Sequence, residues 1–309
     1  MILICGIPSE PPLRYVIEAA ETARLPYLVF NQRESHYTDL TLSVASGRVS
    51  GCLKLRETCY PLENFSGVYF RLMDWQSLPE NQATRFYAPE PALREKSRLL
   101  VEAFIEWTEM TGGRVLNRVS ATASNASKPY QAQLINACGL ATPPTLITNS
   151  PTEVLEFKAL HERVIYKSIS SIRSIVRELQ SEDAAQLEKI RALPTQFQAF
   201  IPGDNVRVHV VGDEIFASEI TTEAVDYRYA GRDDLAVSMR PVELPPDIAN
   251  KCRQLSQALD LPLCGIDLKR TPAGEYFCFE VNPSPAYSYY QNHTGQPIAQ
   301  AIAHWLAQS

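Results

Sequence analysis

Hydrophobic and polar positions in the first third of the chain switch between strand-like and helix-like spacing. An apolar run, Met1–Ile7, precedes the helically spaced stretch LRYVIEAAETARL and a second apolar run, PYLVFN. This order predicts a β-α-β opening. The segment Ala92–Thr111 has the spacing of a long helix that a glycine pair ends. We therefore predict an N-terminal α/β domain over residues 1–113.

The middle of the chain predicts a small α+β unit over residues 114–195. Its first helix has Ser127 at the N-cap position, Pro129 in the first turn and Gly139 as its stop. The predicted elements are the helix SKPYQAQLINACG, the strand PPTLITN, the helix PTEVLEFKALH and the strand RVIYKSI.

The remaining residues, 196–309, predict a third unit built mainly from hairpins. Its elements are the strand TQFQAFIPG, the hairpin NVRVHVVGDEIFASEI, the helix ANKCRQLSQALD, a second hairpin and the final helix PIAQAIAHWLAQ. Together with the second unit, this predicts an α+β fold class.

The second hairpin joins Leu263–Arg270 to Glu275–Asn282 through four residues of ordinary turn composition. We expect the strands to pair antiparallel with Arg270 opposite Glu275. Asp267 then lies opposite Cys278, and alternation places Cys278 on the same face as Glu280.

Asp267, Glu280 and Asn282 would lie close together on that face, with the two carboxylates as diagonal neighbours. Carboxylate and amide oxygens are hard ligands that suit Mg²⁺. The alternative is a solvent-facing strand edge that is polar at every second position. The hairpin alone leaves both interpretations open.

Composition narrows the class of protein. The chain has 309 residues, is 45% hydrophobic and 21% charged, and carries a net charge of -6. Nucleic acids and anionic membranes are therefore not expected as partners, because both are bound through clustered Lys and Arg. Seven scattered cysteines, with no signal peptide or long apolar run, indicate reduced cysteines in a cytoplasmic protein.

Cationic side chains occur where phosphate chemistry would need them. Lys128 begins a predicted helix and Lys167 ends a predicted strand, although a lone lysine in either place is usually a solvated charge. Arg207 lies within an apolar strand and needs an anion or a structural ion pair. For His209, on the same strand face, we favour a half-buried ring hydrogen-bonded to backbone.

Five segments in the same order resemble the ATP-grasp superfamily, in which ligases use ATP to join a carboxylate to an amine, hydroxyl or thiol. They are SKPYQAQLINACGLATPPTLITN, VIYKS, FQAFIPGDNVRVHVVGDEIFASEI, GIDLKR and FEVNPSP. The DYR triplet and NPSPAYSYYQNHTGQPIAQAIAHWL look most like the microviridin-type peptide maturases, relatives of the ribosomal-protein glutamate ligases. The resemblance implies an ATP-grasp fold preceded by a pre-ATP-grasp domain.

The resemblance also implies roles for individual residues, with ATP and Mg²⁺ as cofactors. Lys128 and Lys167 would contact the nucleotide phosphates, and Arg207 would act with Lys167 on the transferred phosphoryl group. Asp267, Glu280 and Asn282 would hold Mg²⁺. The adenine and ribose contacts would come from Gln198, Ala199, Phe200, Ile201 and Asn205.

The expected substrate is an acidic peptide made on the ribosome, activated as an acyl phosphate in an ADP-forming reaction. Asp226, Arg228 and Arg173 are candidate substrate contacts. The segment after Lys167 has no glycine, so serines such as Ser168 would have to cover the phosphates. Two alternatives stay open: a ligase of free amino acids or another small metabolite, and a non-catalytic nucleotide-binding regulator. The resemblance further implies a homodimer.

Overall fold

The computed structural model of the protein describes residues 1–84, 87–88, 90–168, 176–222 and 236–308. Within them, four sheets and seven α-helices are formed. The strands are β1 (Ile2–Gly6), β2 (Tyr27–Asn31), β3 (Thr38–Ala45), β4 (Arg48–Leu55), β5 (Thr58–Pro61), β6 (Gly67–Phe70), β7 (Arg114–Leu116), β8 (Thr145–Thr148), β9 (Val164–Lys167), β10 (Arg177–Glu178), β11 (Thr195–Ala199), β12 (Asp204–Val211), β13 (Glu214–Thr221), β14 (Ser238–Val242), β15 (Leu263–Arg270) and β16 (Tyr276–Asn282). The helices are α1 (Pro11–Thr22), α2 (Pro91–Met110), α3 (Lys128–Ala137), α4 (Pro151–His161), α5 (Pro246–Ala258), α6 (Tyr287–Thr294) and α7 (Ile298–Ala307).

The first sheet is parallel and has the order β2-β1-β6-β7. Every residue of β1 is buried, as expected of a strand covered on both faces. Helices α1 and α7 share a core with this sheet, in which Leu13 and Leu306 are fully buried. The C-terminal helix therefore packs against the N-terminal sheet.

A three-stranded antiparallel sheet, β3-β4-β5, lies beside the first sheet and packs with α2. Cys52 in β4 and Cys59 in β5 are joined by a disulfide. The expectation that all seven cysteines are reduced is wrong for this pair, because the short turn between the strands brings the two side chains together. The other five cysteines are free.

The second region is the antiparallel sheet β10-β9-β11-β8 with α4 on one face. Helix α4 spans the predicted segment, and Ser150 caps its N-terminus by accepting a hydrogen bond from the backbone N–H of Glu153 at 3.5 Å. At α3 the predicted N-cap residue, Ser127, occupies the N-cap position but makes no side-chain capping bond.

The third region is the antiparallel sheet β14-β13-β12-β15-β16. Helices α3 and α5 cover one face through a buried apolar core that includes Val208 and Ile266. The opposite face carries the polar side chains of β12, β15 and β16. That face and the second sheet enclose a cleft.

Most predicted elements occur close to their predicted positions, and the α+β class is observed. The domain boundaries at 113 and 195 stay predictions, although β7, just after the first of them, pairs with the N-terminal sheet. In the described part of the chain, no helix is both long and apolar enough to cross a bilayer.

Candidate functional site

The cleft between the second and third sheets collects most of the residues that the sequence singled out. Its walls are formed by apolar, cationic and carboxylate side chains from both sheets. The lining residues are Ile165, Lys167, Val176, Gln198, Phe200, Ile201, Asn205, Val206, Arg207, Asp267, Leu268, Lys269, Phe279 and Glu280.

Asp267 and Glu280 face each other directly across β15 and β16. The predicted register is wrong at two points. Glu275 pairs with Thr271 and Tyr276 with Arg270, so Leu268 faces Cys278 where Asp267 was expected. A β-bulge between Leu268 and Asp267 then places Asp267 opposite Glu280. The extra residue is Phe279. The bulge reverses the alternation, so Cys278 is buried in the core while Glu280 lines the cleft. The carboxylates are thus closer partners than the diagonal arrangement predicted.

Arg207 lies on the neighbouring strand, opposite Asp267. Its Nη1 donates to the Asp267 carboxylate at 2.6 Å, and only 5% of the arginine is exposed. Gly265 makes this placement possible, since a Cβ built on Gly265 would lie 2.0 Å from Arg207 Nη2. The guanidinium also lies over the ring of Tyr290. These contacts fix a buried cation beside the carboxylate pair.

Lys128 approaches the same pair from the start of α3, with its Nζ 3.3 Å from the Glu280 carboxylate. One helical turn later, Gln131 exchanges two hydrogen bonds with the backbone of Val281, at 2.8 and 2.9 Å. Residues three apart on a helix share a face, so this amide tie also directs Lys128 towards Glu280. The sequence analysis did not identify Gln131, although its spacing from Lys128 was the available signal.

Asn282 ends β16 opposite Gly265, and its Oδ1 accepts a hydrogen bond from the Ser284 N–H at 2.9 Å. An amide oxygen has a second lone pair that could bind a cation. In the described residues no group of three or more His, Cys, Asp and Glu side chains could hold a metal. Asp267, Glu280 and Asn282 stay the predicted ligands of Mg²⁺, a cation that prefers carboxylate and amide oxygens.

Gln198 lies in the same cleft and carries an acceptor that no described group uses. Gln198 is 5% exposed, and its Nε2 donates to Thr145 Oγ1 at 3.0 Å. Its Oε1 is buried without a hydrogen-bond partner among the described atoms. An exocyclic amino group could satisfy this oxygen. Phe200, Ile201 and Asn205 line the cleft as predicted, whereas Ala199 is buried in β11 and is not among the described lining residues.

Lys269 is a cleft residue that the sequence analysis missed. It lies two residues after Asp267 on the same strand, so alternation was the signal that could have found it. The Arg163 guanidinium and the Lys269 ammonium both lie over the Phe200 ring, 3.7 and 4.9 Å from its centre. Burial, together with the charge of Arg163, lowers the pKa of Lys269. Phe279 was also missed, because a bulge cannot be read from alternation.

His209 differs from its prediction of a half-buried ring bonded to backbone. It is fully buried, and neither ring nitrogen has a hydrogen-bond partner within the described structure. Its ring packs edge-on against Tyr290 at 4.8 Å between centres. Burial, assisted by the neighbouring Arg207 charge, holds the pKa of His209 well below its usual value. The ring is therefore neutral and part of the packing beneath Arg207.

Several predicted residues have no described position. Arg173, Asp226 and Arg228 lie outside the described residues, as do most of the serines that follow Lys167. Ser168 is described and exposed, and Lys167 itself is 8% exposed at the cleft wall. Their predicted roles stay predictions.

Two sheets that enclose a cleft of paired carboxylates and buried cations are the arrangement of an ATP-grasp enzyme. The RimK-like ATP-grasp domain matches residues 126–306, more than half of the chain. The chain belongs to this family. This membership confirms the predicted fold, the predicted class of ligase, and ATP and Mg²⁺ as the cofactors that such ligases use.

Relatives of known description agree with this assignment. A probable alpha-L-glutamate ligase of Cellvibrio japonicus is 26% identical over 217 residues, which are 67% of this chain and 71% of that protein. The ATP-grasp ligase PsnB, solved with a phosphomimetic variant of its minimal precursor, Mg and ADP, is 25% identical with a TM-score of 0.77. That match covers 99% of this chain and 97% of PsnB.

The macrocyclase MdnC of Microcystis aeruginosa, solved with its precursor peptide MdnA, shares the fold with a TM-score of 0.78 at 23% identity. The match covers 99% of each chain. The similarity to MdnC therefore includes the N-terminal sheet as well as the family domain.

Proposed function

We propose that this protein is an ADP-forming ligase that activates a carboxylate of a ribosomally made peptide and joins it to an amine or hydroxyl. The observation that carries the proposal is the directly paired Asp267 and Glu280, each of which forms an ion pair with a cation, Arg207 or Lys128. The similarity to PsnB and MdnC over nearly the whole chain supports a peptide as the substrate.

The cleft supplies what transfer of a phosphoryl group needs, namely fixed positions and neutralised charge. Mg²⁺, held by Asp267, Glu280 and Asn282, would neutralise phosphate charge when bound. Arg207 and Lys128 now pair with these carboxylates. A cation on the carboxylates would leave both side chains' positive charge available to phosphate oxygens. Lys167, at the end of β9, would approach the phosphates from the opposite sheet.

The base and ribose of ATP would occupy the other end of the cleft. Gln198 Oε1 would accept from the adenine amino group, and Phe200 and Ile201 would contact the ring. Asn205 would hydrogen-bond a ribose hydroxyl. These assignments follow from the orphaned Gln198 oxygen and the lining of the cleft.

Arg173, Asp226 and Arg228 are retained as proposed peptide contacts, because guanidinium groups bind carboxylates in a bidentate manner. An acidic peptide is the matching partner. We further propose a cytoplasmic homodimer on the basis of the family resemblance, and light scattering after size-exclusion chromatography tests the dimer.

A second candidate, a ligase of free glutamate or another small metabolite, is favoured by the probable alpha-L-glutamate ligases among the relatives. The proposal is tested by ADP release from Mg-ATP with a panel of acidic peptides and free amino acids. Peptide-dependent ADP release together with loss of water from the peptide mass supports the proposed function. ADP release with free glutamate alone would transfer the assignment to the second candidate.

A further inference from the structure

A second cavity lies at the carboxyl ends of the parallel strands β6 and β7. It has a volume of about 170 Å³ and is separate from the nucleotide cleft in its lining. Its wall includes Tyr69, Arg71 and Asn117 from the N-terminal part of the chain and Pro283 and Ser284 from the segment after β16. In sheets with parallel strands, ligands bind outside the carboxyl ends of the strands.

Arg71 follows directly on β6 and is the cationic side chain of this cavity. Its Nη1 donates to Ser284 Oγ at 2.8 Å and to the Pro285 carbonyl oxygen at 3.3 Å. Glu10 is at a distance of 3.9 Å from Nε, too long for a hydrogen bond. Nε is itself buried without a hydrogen-bond partner among the described atoms. The guanidinium therefore keeps donor capacity that no described group uses.

Tyr69 supplies a second unused donor. It is 1% exposed, and its hydroxyl has no hydrogen-bond partner within the described residues. Burial raises the pKa of Tyr69 to about 12, and the neighbouring Arg71 and Tyr287 act against this rise. A buried hydroxyl without a hydrogen-bond partner lowers the stability of the folded protein. Such a group is expected where a bound ligand completes the hydrogen bonding.

The cavity adjoins the metal end of the nucleotide cleft. Ser284, which accepts from Arg71, donates its backbone N–H to Asn282 Oδ1 at 2.9 Å. Asn117 fixes the same region, because its amide donates to the carbonyl oxygens of Leu263 and Pro283 at 2.6 Å each. Ser284 thus links Arg71 to Asn282, the proposed Mg²⁺ ligand, through these two hydrogen bonds.

We propose that Arg71 and Tyr69 form a binding site for a carboxylate group of the substrate. The proposal rests on the proposed function, and it assigns to the N-terminal sheet a part in substrate recognition. A planar carboxylate accepts two hydrogen bonds from a guanidinium and can take a third from a phenol. The carboxylate could belong to a peptide side chain or to a free amino acid.

The test measures binding by isothermal titration calorimetry, with glutarate as the probe because it is a dicarboxylate without an amine. We expect glutarate to bind the full chain and Arg71→Ala to weaken that binding by about tenfold or more. Tyr69→Phe, which removes only the hydroxyl, weakens it by a smaller factor. Arg14→Ala is the matched control, since Arg14 is an exposed arginine of the same domain paired with Glu18.

The variant Ser284→Ala distinguishes a purely structural role of Arg71 from a role in binding the carboxylate. This change removes the hydrogen bond from Arg71 to Ser284 but keeps the cation, so glutarate affinity should stay near wild type. Equal weakening by Ser284→Ala and Arg71→Ala would overturn the proposal in favour of a structural tie. Absence of glutarate binding to the wild-type protein, or unchanged binding by Arg71→Ala, would also overturn it.

Two further measurements show whether the carboxylate comes from a peptide or a free amino acid, and whether the proposed ligase function holds. An increase in the KM of Arg71→Ala for an acidic peptide assigns the site to peptide recognition, and an increase for free glutamate assigns it to the amino acid. If glutarate binding depends on Arg71 but no carboxylate triggers ADP release, the ligase function fails while the carboxylate site stands.

Discussion

Asp267 and Glu280 show how single side chains set the charge balance of the cleft. Two carboxylates directly opposite on neighbouring strands repel each other. Here each carboxylate meets a cation, Arg207 or Lys128. The cluster is therefore balanced before any ligand binds, and a divalent cation with phosphates would replace one set of ion pairs by another. Both carboxylates must stay negative for this exchange.

We therefore expect Asp267→Asn and Glu280→Gln to lower ADP formation by about 100-fold or more, because each removes a negative metal ligand worth several kcal/mol. Amide replacements keep the shape of the side chains and an acceptor for Arg207 or Lys128. The measurement is steady-state ADP release at ordinary Mg²⁺, with circular dichroism as the check on folding. Glu57→Gln, at a carboxylate whose side chain is 96% exposed, is the control. Normal turnover by either cleft variant would defeat the metal assignment.

His209 leads to a prediction about pH. Its pKa is depressed in the folded protein, so the native state keeps the ring neutral while the unfolded chain binds a proton below about pH 6.5. The unfolded state then binds more protons, and the free energy of unfolding falls as the pH falls below that value. The slope from this one group approaches about 1.4 kcal/mol per pH unit.

Urea unfolding between about pH 5 and 7 measures this contribution as the difference between wild type and His209→Gln. We expect the variant to have a shallower loss of stability towards low pH. His304→Gln, at an exposed histidine, should retain the wild-type slope. Equal slopes in wild type and His209→Gln would mean that the ring is protonated in the native protein.

At the scale of elements, the β15–β16 hairpin shows what sequence reasoning can and cannot reach. Alternation and turn composition correctly predicted the two strands and the nearness of Asp267 and Glu280. The register was wrong by one residue at the turn, where Glu275 pairs with Thr271 and not with Arg270, and by one more residue at the bulged Phe279. Nothing in the pattern of hydrophobic positions marks a bulge. Burial of Cys278 depends on the same residue.

Other elements escaped prediction for related reasons. Helix α6 contains mostly polar and aromatic residues, SYYQNH, which do not form a clear apolar stripe. Strand β14 is an edge strand with a proline and little burial. By contrast, helix α4 was predicted to its ends, and in the structure a proline in its first turn and a capping serine mark its start. Capping residues and prolines can be recognised in the sequence. The tertiary packing that stabilises weakly patterned elements such as α6 and β14 cannot.

Gly265 in β15 leaves the space that the Arg207 guanidinium occupies. A Cβ at this position would lie 2.0 Å from Arg207 Nη2 and 2.5 Å from its Cζ, so Gly265→Ala must displace the guanidinium. We expect turnover to fall by about tenfold or more, because the charge beside Asp267 loses its fixed position. ATP affinity measured by calorimetry should change less. Gly274→Ala is the comparison, at a hairpin glycine with open space around it.

If Gly265→Ala turns over normally, the side chain of Arg207 can adopt another productive position, and its proposed role in phosphoryl transfer does not depend on the close approach to β15. The Gly274 comparison has its own cost, since its φ of +85° strains an alanine there. That cost should appear in stability and leave turnover of the folded protein near wild type.

At the scale of the whole molecule, one hydrophobic core joins the first and third sheets. It contains Ile4 and Leu13 from the N-terminal domain, Leu263 from β15, and Ile302 and Leu306 from α7. The backbone of Leu306 comes so close to β6 that a Cβ on Gly67 would lie 2.2 Å from the Leu306 carbonyl oxygen. The end of the chain thus binds its beginning, and both should unfold together.

Leu306→Ala tests this coupling. The side chain is fully buried, so its truncation should lower the free energy of unfolding by about 2–5 kcal/mol. Because the core spans both regions, tryptophan fluorescence and far-ultraviolet circular dichroism should report coincident urea transitions in wild type and variant. Leu160→Ala, at a leucine that is 75% exposed on α4, should change stability by no more than about 0.5 kcal/mol. The fluorescence signal includes Trp107 of the N-terminal core. If the two probes gave separate transitions and Leu306→Ala shifted only the fluorescence transition, the N-terminal domain would unfold independently of the nucleotide cleft.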